Sequence, residues 1–475
     1  SGLVGLLILV AVVCWCIYQC FFSPLACIPG PFTCKLIPTI MRPSLMQGRL
    51  YLRTTEWHQK YGPIVRVGCN TVSVIDKASL REVYQGYDYA KVESWYQGFE
   101  VFTEGMFTTR NADLHRQRKR ILQPAFTLRS LRIMEPTIIK VGAGKVSAKA
   151  QGTDSNDQGV VINLYQTLTL MTLDIITELT LGKAVGVLEK CHHPIVEWFY
   201  SYTTLVAVFT TFPFLKKIKL GFSKQRQDVQ DMGAYSLQSI QDRRAELETL
   251  PQEAVLAASS SRKPADILDS MLLSVDPLTN ERLDDYQLKC ETLTIMFGGS
   301  ETTSVTMCMV FFYLFRNPDQ LTRLQADIIQ AFPLPEGVTA MPINLETIEA
   351  LNLRPDIVKE RVPFLEAVIH ETMRLLPAAP GIFVRSVPKG GRTIGPYFLP
   401  EDTEVGLSMS AYHRGPEWED PHTFNPDRFL GVEGEKNVTK LMTFSSGPHQ
   451  CIGKNLAYME LFSVLATMLR LFYIE

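Results

Sequence analysis

Residues 444–453 read Phe-Ser-Ser-Gly-Pro-His-Gln-Cys-Ile-Gly and run without a break into the apolar stretch NLAYMELFSVLATMLRLF at 455–472. The first ten residues are turn formers and the next eighteen have the composition of a helix, so Cys451 stands at a helix N-terminus. Unpaired backbone N–H groups and the positive end of the helix dipole favour a thiolate there, the form of cysteine that binds a metal or attacks an electrophile. Gly447 and Gly453 leave room for a flat group to lie close to the backbone, where a Cβ would collide. A buried cysteine without such neighbours is an inert small hydrophobe, so the loop around Cys451 carries the reading.

Two other stretches carry chemistry of their own. In VPFLEAVIHETMRLLP (362–377), Glu371 and Arg374 are three apart and share one helix face; such a pair on a surface contributes little. In CETLTIMFGGSETTSVTMCMVFFYLF (290–315), Gly298 and Gly299 interrupt a helical run at about 1 kcal/mol each relative to alanine, and Glu301 and Thr302 follow at once. Something must need the space that two missing side chains leave.

Toward the N-terminus, residues 3–22 read LVGLLILVAVVCWCIYQCFF, uncharged and polar only at Gln19. Twenty helical residues cover about 30 Å, the thickness of a bilayer core, and Trp15 and Tyr18 sit near one end as interfacial aromatics do. The next charges, Lys35, Arg42 and Arg49, are all basic, which orients the following body to the cytoplasm. Residues 1–23 thus read as a transmembrane anchor, 24–34 as a stiff hinge built on Pro24, Pro29, Gly30 and Pro31, and 35–475 as one large body. Within the body, TEWHQKYGPIVRVGCNTVSVID (55–76) predicts a short amphipathic helix, a turn at Tyr61-Gly62-Pro63 and two alternating strands; helical periodicity dominates from about Asn111 to Gln330, with an exposed loop at 251–266. The expected fold class is mainly α with a minor β-sheet region.

The 47 basic and 49 acidic residues of this 475-residue chain nearly cancel, which gives no reason to expect nucleic acid as a partner. The ten cysteines include no CxxC pair, as suits a reduced compartment, and Cys191-His192-His193 lacks a distant partner for a metal. No dinucleotide fingerprint or P-loop is present, so electrons for any redox step come from another chain.

The loop at 444–453 resembles the cysteine-ligand signature of the cytochrome P450 superfamily, haem-thiolate monooxygenases of eukaryotic microsomal type. The helix with Glu371 and Arg374, the segment FNPDRF at 424–429 and the helix with Gly298 and Gly299 resemble the family's other motifs, in the expected order. HRQRKRILQPAF at 115–126 is similar in style to fungal members. The resemblance implies the cytochrome P450 fold behind a transmembrane helix, and haem b bound through Cys451. It implies a structural triad of Glu371, Arg374 and Arg428, and a proton relay from Glu301 and Thr302. Phe444, Gly447, His449 and Gly453 belong to the cofactor loop. Arg385 and His449 are expected at the haem propionates, as are His115, Lys119 and Arg120, although the family usually has tryptophan and arginine where His115 and Lys119 stand and arginine is commoner at 449. Phe297, Ser300, Ala379, Ile382, Phe383 and the loop from Trp95 to Phe107 are expected to line the substrate pocket.

The implied reaction is insertion of one oxygen atom into a hydrophobic lipid, steroid, terpenoid or xenobiotic. NADPH is used through cytochrome P450 reductase, docked on the run Arg116, Arg118, Lys119, Arg120 with Lys440 and Lys454, and cytochrome b5 is a second donor. The implied place is the endoplasmic reticulum membrane, single-pass and with the body cytoplasmic, and VFTTFPFLKKIKLGF (208–222) adds a lipid contact. The resemblance also implies a final hairpin beyond the cysteine helix, and this sequence stops at Glu475 before it. Two other readings stay open: a haem-thiolate isomerase or dehydratase, which needs no reductase, and a truncated inactive haem-binding membrane protein.

Overall fold

The glycine-bearing stretch forms a single helix, Asp285–Arg316, of 32 residues and about 48 Å. Asp284 and Gln287 form a reciprocal capping box at its start, and Asn317-Pro318 ends it. This central helix packs along the helix Leu164–Leu181. At the crossing a Cβ on Gly299 would lie 2.8 Å from Ile176 Cδ1, so that glycine permits the close approach. Gly298 has nothing within 4 Å of its Cβ position and borders open space. The two adjacent glycines therefore serve different neighbours, a division the sequence did not disclose.

The computed structural model describes residues 2–100, 104–144, 161–183, 185–190, 193–218, 221–249, 266–334 and 345–474. The expected loop at 251–266 falls outside the described residues except for Asp266, as do Cys191, His192, Lys219, Leu220 and residues 101–103 of the expected pocket loop. The expected helical region opens at Ala112, capped by Asn111, whose side chain accepts from Asp113 N and Leu114 N. The cysteine helix, Lys454–Leu471, is buried on every side from Met459 to Leu469, as a core helix must be when it is apolar all round.

Among the described residues seven strands complete the body: β1 Ile64–Arg66, β2 Thr71–Val74, β3 Ala90–Lys91, β4 Ile382–Ser386, β5 Arg392–Ile394, β6 Tyr397–Leu399 and β7 Glu404–Ser408. Five of them form one sheet in the order β1-β2-β7-β4-β3, parallel only at β2–β7, and β5 with β6 forms a separate antiparallel pair. Alternation in 64–74 predicts one wet face, yet every residue of β1 and β2 is buried. The reason is that both faces are covered: Ile64, Val72 and Val74 pack with Leu25, Ile28 and Tyr84, while Val65 packs with Val67, Ile382 and Val384.

Leu25 and Ile28 come from the proline-rich hinge, which is seated on the body. Arg66 N donates to Pro29 O at 2.7 Å, and a Cβ on Gly30 would fall 2.3 Å from Arg66 O. The anchor itself is an exposed helix, Gly2–Ile17, continued by a wider π turn over Tyr18–Phe22, and Leu3–Phe22 is apolar enough to cross a membrane. Its one polar side chain, Gln19, is buried against Arg66, which has no exposed surface. The Arg66 guanidinium donates to Gln19 Oε1 (2.5 Å), Gln19 O (3.2 Å), Gly68 O (3.3 Å) and Cys69 O (2.6 Å). The anchor end is thereby fastened to β1.

Replacing Arg66 by leucine leaves these buried acceptors without donors and should lower the unfolding free energy by about 3 kcal/mol. Urea titration of the detergent-solubilised chain reads this, and a midpoint equal to the wild type would show that the guanidinium contributes nothing.

Candidate active site

The helix Pro363–Leu375 presents Glu371 and Arg374 inward, and neither has any exposed surface. Arg374 donates to Glu371 in bidentate fashion, Nε to Oε2 at 2.7 Å and Nη2 to Oε1 at 2.9 Å. Arg428 Nε and Asn425 N both donate to Glu371 Oε1, at 3.1 and 2.8 Å. The remaining guanidinium donors of Arg374 go to the carbonyls of His413, Pro421 and Thr423. Arg428 reaches the carbonyls of Glu419 and Asp420. One carboxylate thus gathers the segment 413–428, which has little regular structure to hold itself.

From there the order passes to the cysteine loop through a residue the sequence did not signal, His413. It is fully buried, and its Nε2 accepts from Met442 N at 3.0 Å. Burial, with Arg374 and Arg414 nearby, pushes its pKa down to about 3, so the ring stays neutral and keeps the lone pair that this bond requires. Ser445 N then donates to Met442 O, and Cys451 N closes the loop on Phe444 O at 2.9 Å.

Gly447 adopts φ +65°, and a Cβ there would fall 2.3 Å from Tyr84 O. The glycine therefore lets the loop press against the end of the helix Lys77–Tyr84, a close backbone approach that the sequence did not disclose. Gly453 does face the sulfur, since its Cβ position has only Cys451 Sγ nearby, at 3.9 Å. Cys451 retains accessible surface, while burial of its surroundings pushes the thiol pKa up. The N–H groups of Gly453 and Lys454 and the charges of Lys119 and Lys454 pull the other way.

Around the loop lies a concentration of positive charge. His449, His115, Lys119, Arg385 and Lys91 are close enough to perturb one another: burial and the neighbouring cations hold His115 at about 3 and His449 at about 2. Among the described residues none of the five forms an ion pair. Lys119 donates to Pro448 O, Arg385 to Tyr96 Oη, and Lys91 to Met106 O and Phe107 O. The His115 and His449 rings lie 4.2 Å apart with Nε2 and Nδ1 at 3.1 Å, so two of the three departures from the family pattern touch each other. An accessible thiol close to Lys119 and Lys454, on a loop whose neutral His449 also feels Arg385 and Lys91, suits a metal-centred group with acidic arms, which is what haem would bring to it. Lys91 and Tyr96 were not found from the sequence because nothing in KVESWY distinguishes them.

Two expected site residues are placed elsewhere. Arg120 forms a bidentate pair with buried Asp276, at 2.6 and 2.8 Å, and is corrected from a propionate contact to a structural ion pair. Ser300 is fully buried with its hydroxyl 3.5 Å from Thr172 Oγ1, on the face opposite Gly298 and Thr302; two residues along a helix turn the side chain about 200°, which takes it out of the expected pocket. Thr302 is exposed although it belongs to the central helix, and its hydroxyl donates to Gly298 O at 2.7 Å. Glu301 is half-buried, and burial raises its carboxyl pKa. Phe297 sits among Phe99, Phe199 and Tyr202; on and before β4, Ala379 is exposed, Phe383 half-buried and Ile382 buried.

The expected reductase face is also altered. Arg118 is buried, Arg116 pairs with Asp113, Arg120 is bound to Asp276 and Lys119 to the cysteine loop, so the basic run does not form one solvated patch. Among the described residues no group of three or more His, Cys, Asp or Glu side chains forms a metal site, and His193 caps the helix Pro194–Thr211 by accepting from Ile195 N.

A family model described as Cytochrome P450 matches residues 29–475. Among curated proteins, the chain is 28% identical over 468 residues to cytochrome P450 monooxygenase helB3 of Aspergillus fumigatus, covering 97% of this chain and 86% of the relative. It is 29% identical over 492 residues to cytochrome P450 monooxygenase BipB of Cochliobolus sativus, covering 100% and 90%. Among solved structures, the crystal structure of cytochrome P450DA heme domain superposes with a TM-score of 0.75 at 21% identity, covering 93% of this chain and 90% of that one, which shows the shared fold.

Removing the Glu371 carboxylate strands two buried guanidinium groups, and Glu371→Ala should cost about 3–5 kcal/mol. Chemical denaturation is the measurement. A loss below about 1 kcal/mol, typical of a surface pair, would contradict the central place given to this residue.

Proposed function

This chain belongs to the cytochrome P450 family, and on that premise we propose that it inserts one atom of molecular oxygen into a hydrophobic small molecule, using two electrons from an NADPH-dependent reductase. Its relatives are named monooxygenases, and the oxidoreductase class is common to them. The observation that carries the reading is the accessible sulfur of Cys451 at the head of a buried helix, beside the charges of Lys119 and Lys454.

Haem held through Cys451 would supply oxygen activation, with one oxygen atom entering the substrate and the other leaving as water against two electrons and two protons. Lys454, Lys119 and the N–H groups of Gly453 and Lys454 stabilise the thiolate. Arg385 and Lys119 supply positive charge for two propionates, and neutral His449, with His115 behind it, supplies a ring hydrogen bond. Thr302 gives its proton to Gly298 O, which leaves its oxygen free to accept from water on the open side of the helix. Glu301, one residue earlier and half-buried, holds a proton more tightly than an ordinary carboxylate, which suits it to pass that proton on.

Phe297, Phe99, Phe107, Ala379 and Phe383 give the substrate space apolar and aromatic walls, consistent with a lipid, steroid, terpenoid or xenobiotic. The reductase meets the cysteine side through Arg116 and Lys454, and cytochrome b5 shares that side as a second electron donor. The apolar segment Leu3–Phe22 anchors the chain in the endoplasmic reticulum membrane, with the body on the cytoplasmic side by the basic residues that follow.

Carbon monoxide difference spectroscopy of the reduced holoenzyme tests the ligand. The wild type should give the thiolate-ligated carbonyl band and Cys451→Ala should not, whereas an unchanged band in the variant would refute Cys451 as ligand. With reductase and NADPH, Thr302→Val should lower product formation by about 100-fold, the low end of the range for loss of one proton-transfer group. A spectrally intact wild type that consumes no NADPH would instead point to the isomerase reading.

A further inference from the structure

Three charged side chains are buried at the distal edge of the basic ring: Lys91 on β3, Arg118 on the helix Ala112–Leu122, and Glu291 in the second turn of the central helix, at 6%, 5% and 1% exposure. Charges are buried only where partners offset the cost of desolvation. Here the partner is mostly backbone. Met106 N donates to Glu291 Oε1 at 2.9 Å, and Lys91 Nζ donates to Met106 O at 3.1 Å and to Phe107 O at 2.6 Å. The segment runs so close to the carboxylate that a Cβ on Gly105 would lie 3.4 Å from Glu291 Oε1. Arg118 Nε stands 3.9 Å from the same oxygen, too far for a hydrogen bond, and compensates the carboxylate as a charge. Two elements thus grip residues 105–107 from opposite sides.

That segment carries Phe107 into a row of aromatic rings. Phe107 lies 5.7 Å from Tyr96 and 5.2 Å from Phe99; Phe99 lies 6.2 Å from Phe297; and Phe297 lies 5.1 Å from Tyr202. Phe297 immediately precedes Gly298, where the central helix borders open space. A shift of the backbone at 106–107 therefore moves one end of an aromatic wall whose other end lies beside that opening.

We propose that Glu291 and Lys91 clamp the backbone of Met106 and Phe107 and, by fixing the Phe107 ring, act as positioning residues that set the size of substrate the pocket admits. The inference rests on the monooxygenase reading in taking that aromatic row as the pocket wall. The grip itself follows from the hydrogen bonds alone. Burial brings the Glu291 carboxyl up to about 7 and the Lys91 ammonium down to about 7, so neither group is committed to full charge near neutrality. Hydrogen-bond geometry then matters more than charge, and Glu291→Gln, which keeps the acceptor for Met106 N, should preserve the clamp.

Two measurements on the full-length holoenzyme test this, with wild type, Glu291→Gln, Glu291→Leu and Lys91→Met. Hydrogen exchange of peptides spanning 104–109 should accelerate at least ~10-fold in Glu291→Leu and Lys91→Met and stay within ~2-fold of wild type in Glu291→Gln, as expected for release of a locally held segment. Spectral titration with imidazole and with 4-phenylimidazole should show the affinity ratio shifting at least ~3-fold toward the larger probe in the two disrupting variants, a modest change for a loosened apolar wall. Unchanged exchange in both disrupting variants would overturn the clamp; faster exchange with an unchanged probe ratio would overturn its role in size selection. Should Glu291→Leu fail to fold, Lys91→Met decides both points. Absence of the thiolate carbonyl band in the wild type defeats the haem reading instead, and the exchange comparison then decides the clamp by itself.

Discussion

A carboxylate with no exposed surface, Glu371, holds two guanidinium groups and one backbone N–H, and the rest of the site is ordered from there. Arg374 and Arg428 use their other donors on five backbone carbonyls between 413 and 423, a stretch too irregular to satisfy its own polar groups. The network costs much to desolvate and much more to leave half-made, so its members are retained or lost together. Its reach extends through neutral His413 to Met442 N, and from there to the loop that presents Cys451. The cysteine is thus positioned by charge compensation remote from it in sequence.

Electrostatics on the other side of the cysteine follow an opposite rule. Glu371 is over-supplied with partners, whereas Lys119 and Arg385 stand without an ion pair among the described residues and hold the neighbouring imidazoles of His115 and His449 neutral. Cations left without a protein anion leave room for an acidic ligand to supply one. The pairing of His115 with His449 shows how two departures from the usual residues compensate, since each imidazole supplies the contact that the other needs.

The anchor is bound to the same framework. Gln19 reaches Arg66 on β1, the hinge fills one face of the sheet with Leu25 and Ile28, and β1 joins through β2 and β7 to β4, which carries Phe383 and Arg385. The apolar N-terminal helix and the strand that carries Phe383 and Arg385 are thereby connected by a short series of hydrogen-bonded strands. Gln19 had been legible only as the polar exception in an apolar run.

Covalent pattern alone was enough for the mainly helical class, the apolar N-terminal helix, the cysteine at a helix start and the Glu371–Arg374 pair, because each depends on residues close in sequence whose spacing fixes a common face or a common turn. Partners that meet across long stretches of chain were not legible: His413 with Met442 N, Lys91 and Glu291 on the backbone at 106–107, Arg120 with Asp276, Gln19 with Arg66. A basic residue in a one-dimensional string looks the same whether it faces solvent, a carboxylate or a cofactor. Only the packing of the elements decided which, by determining where water is excluded and which polar groups remain within about 3 Å of one another to replace it.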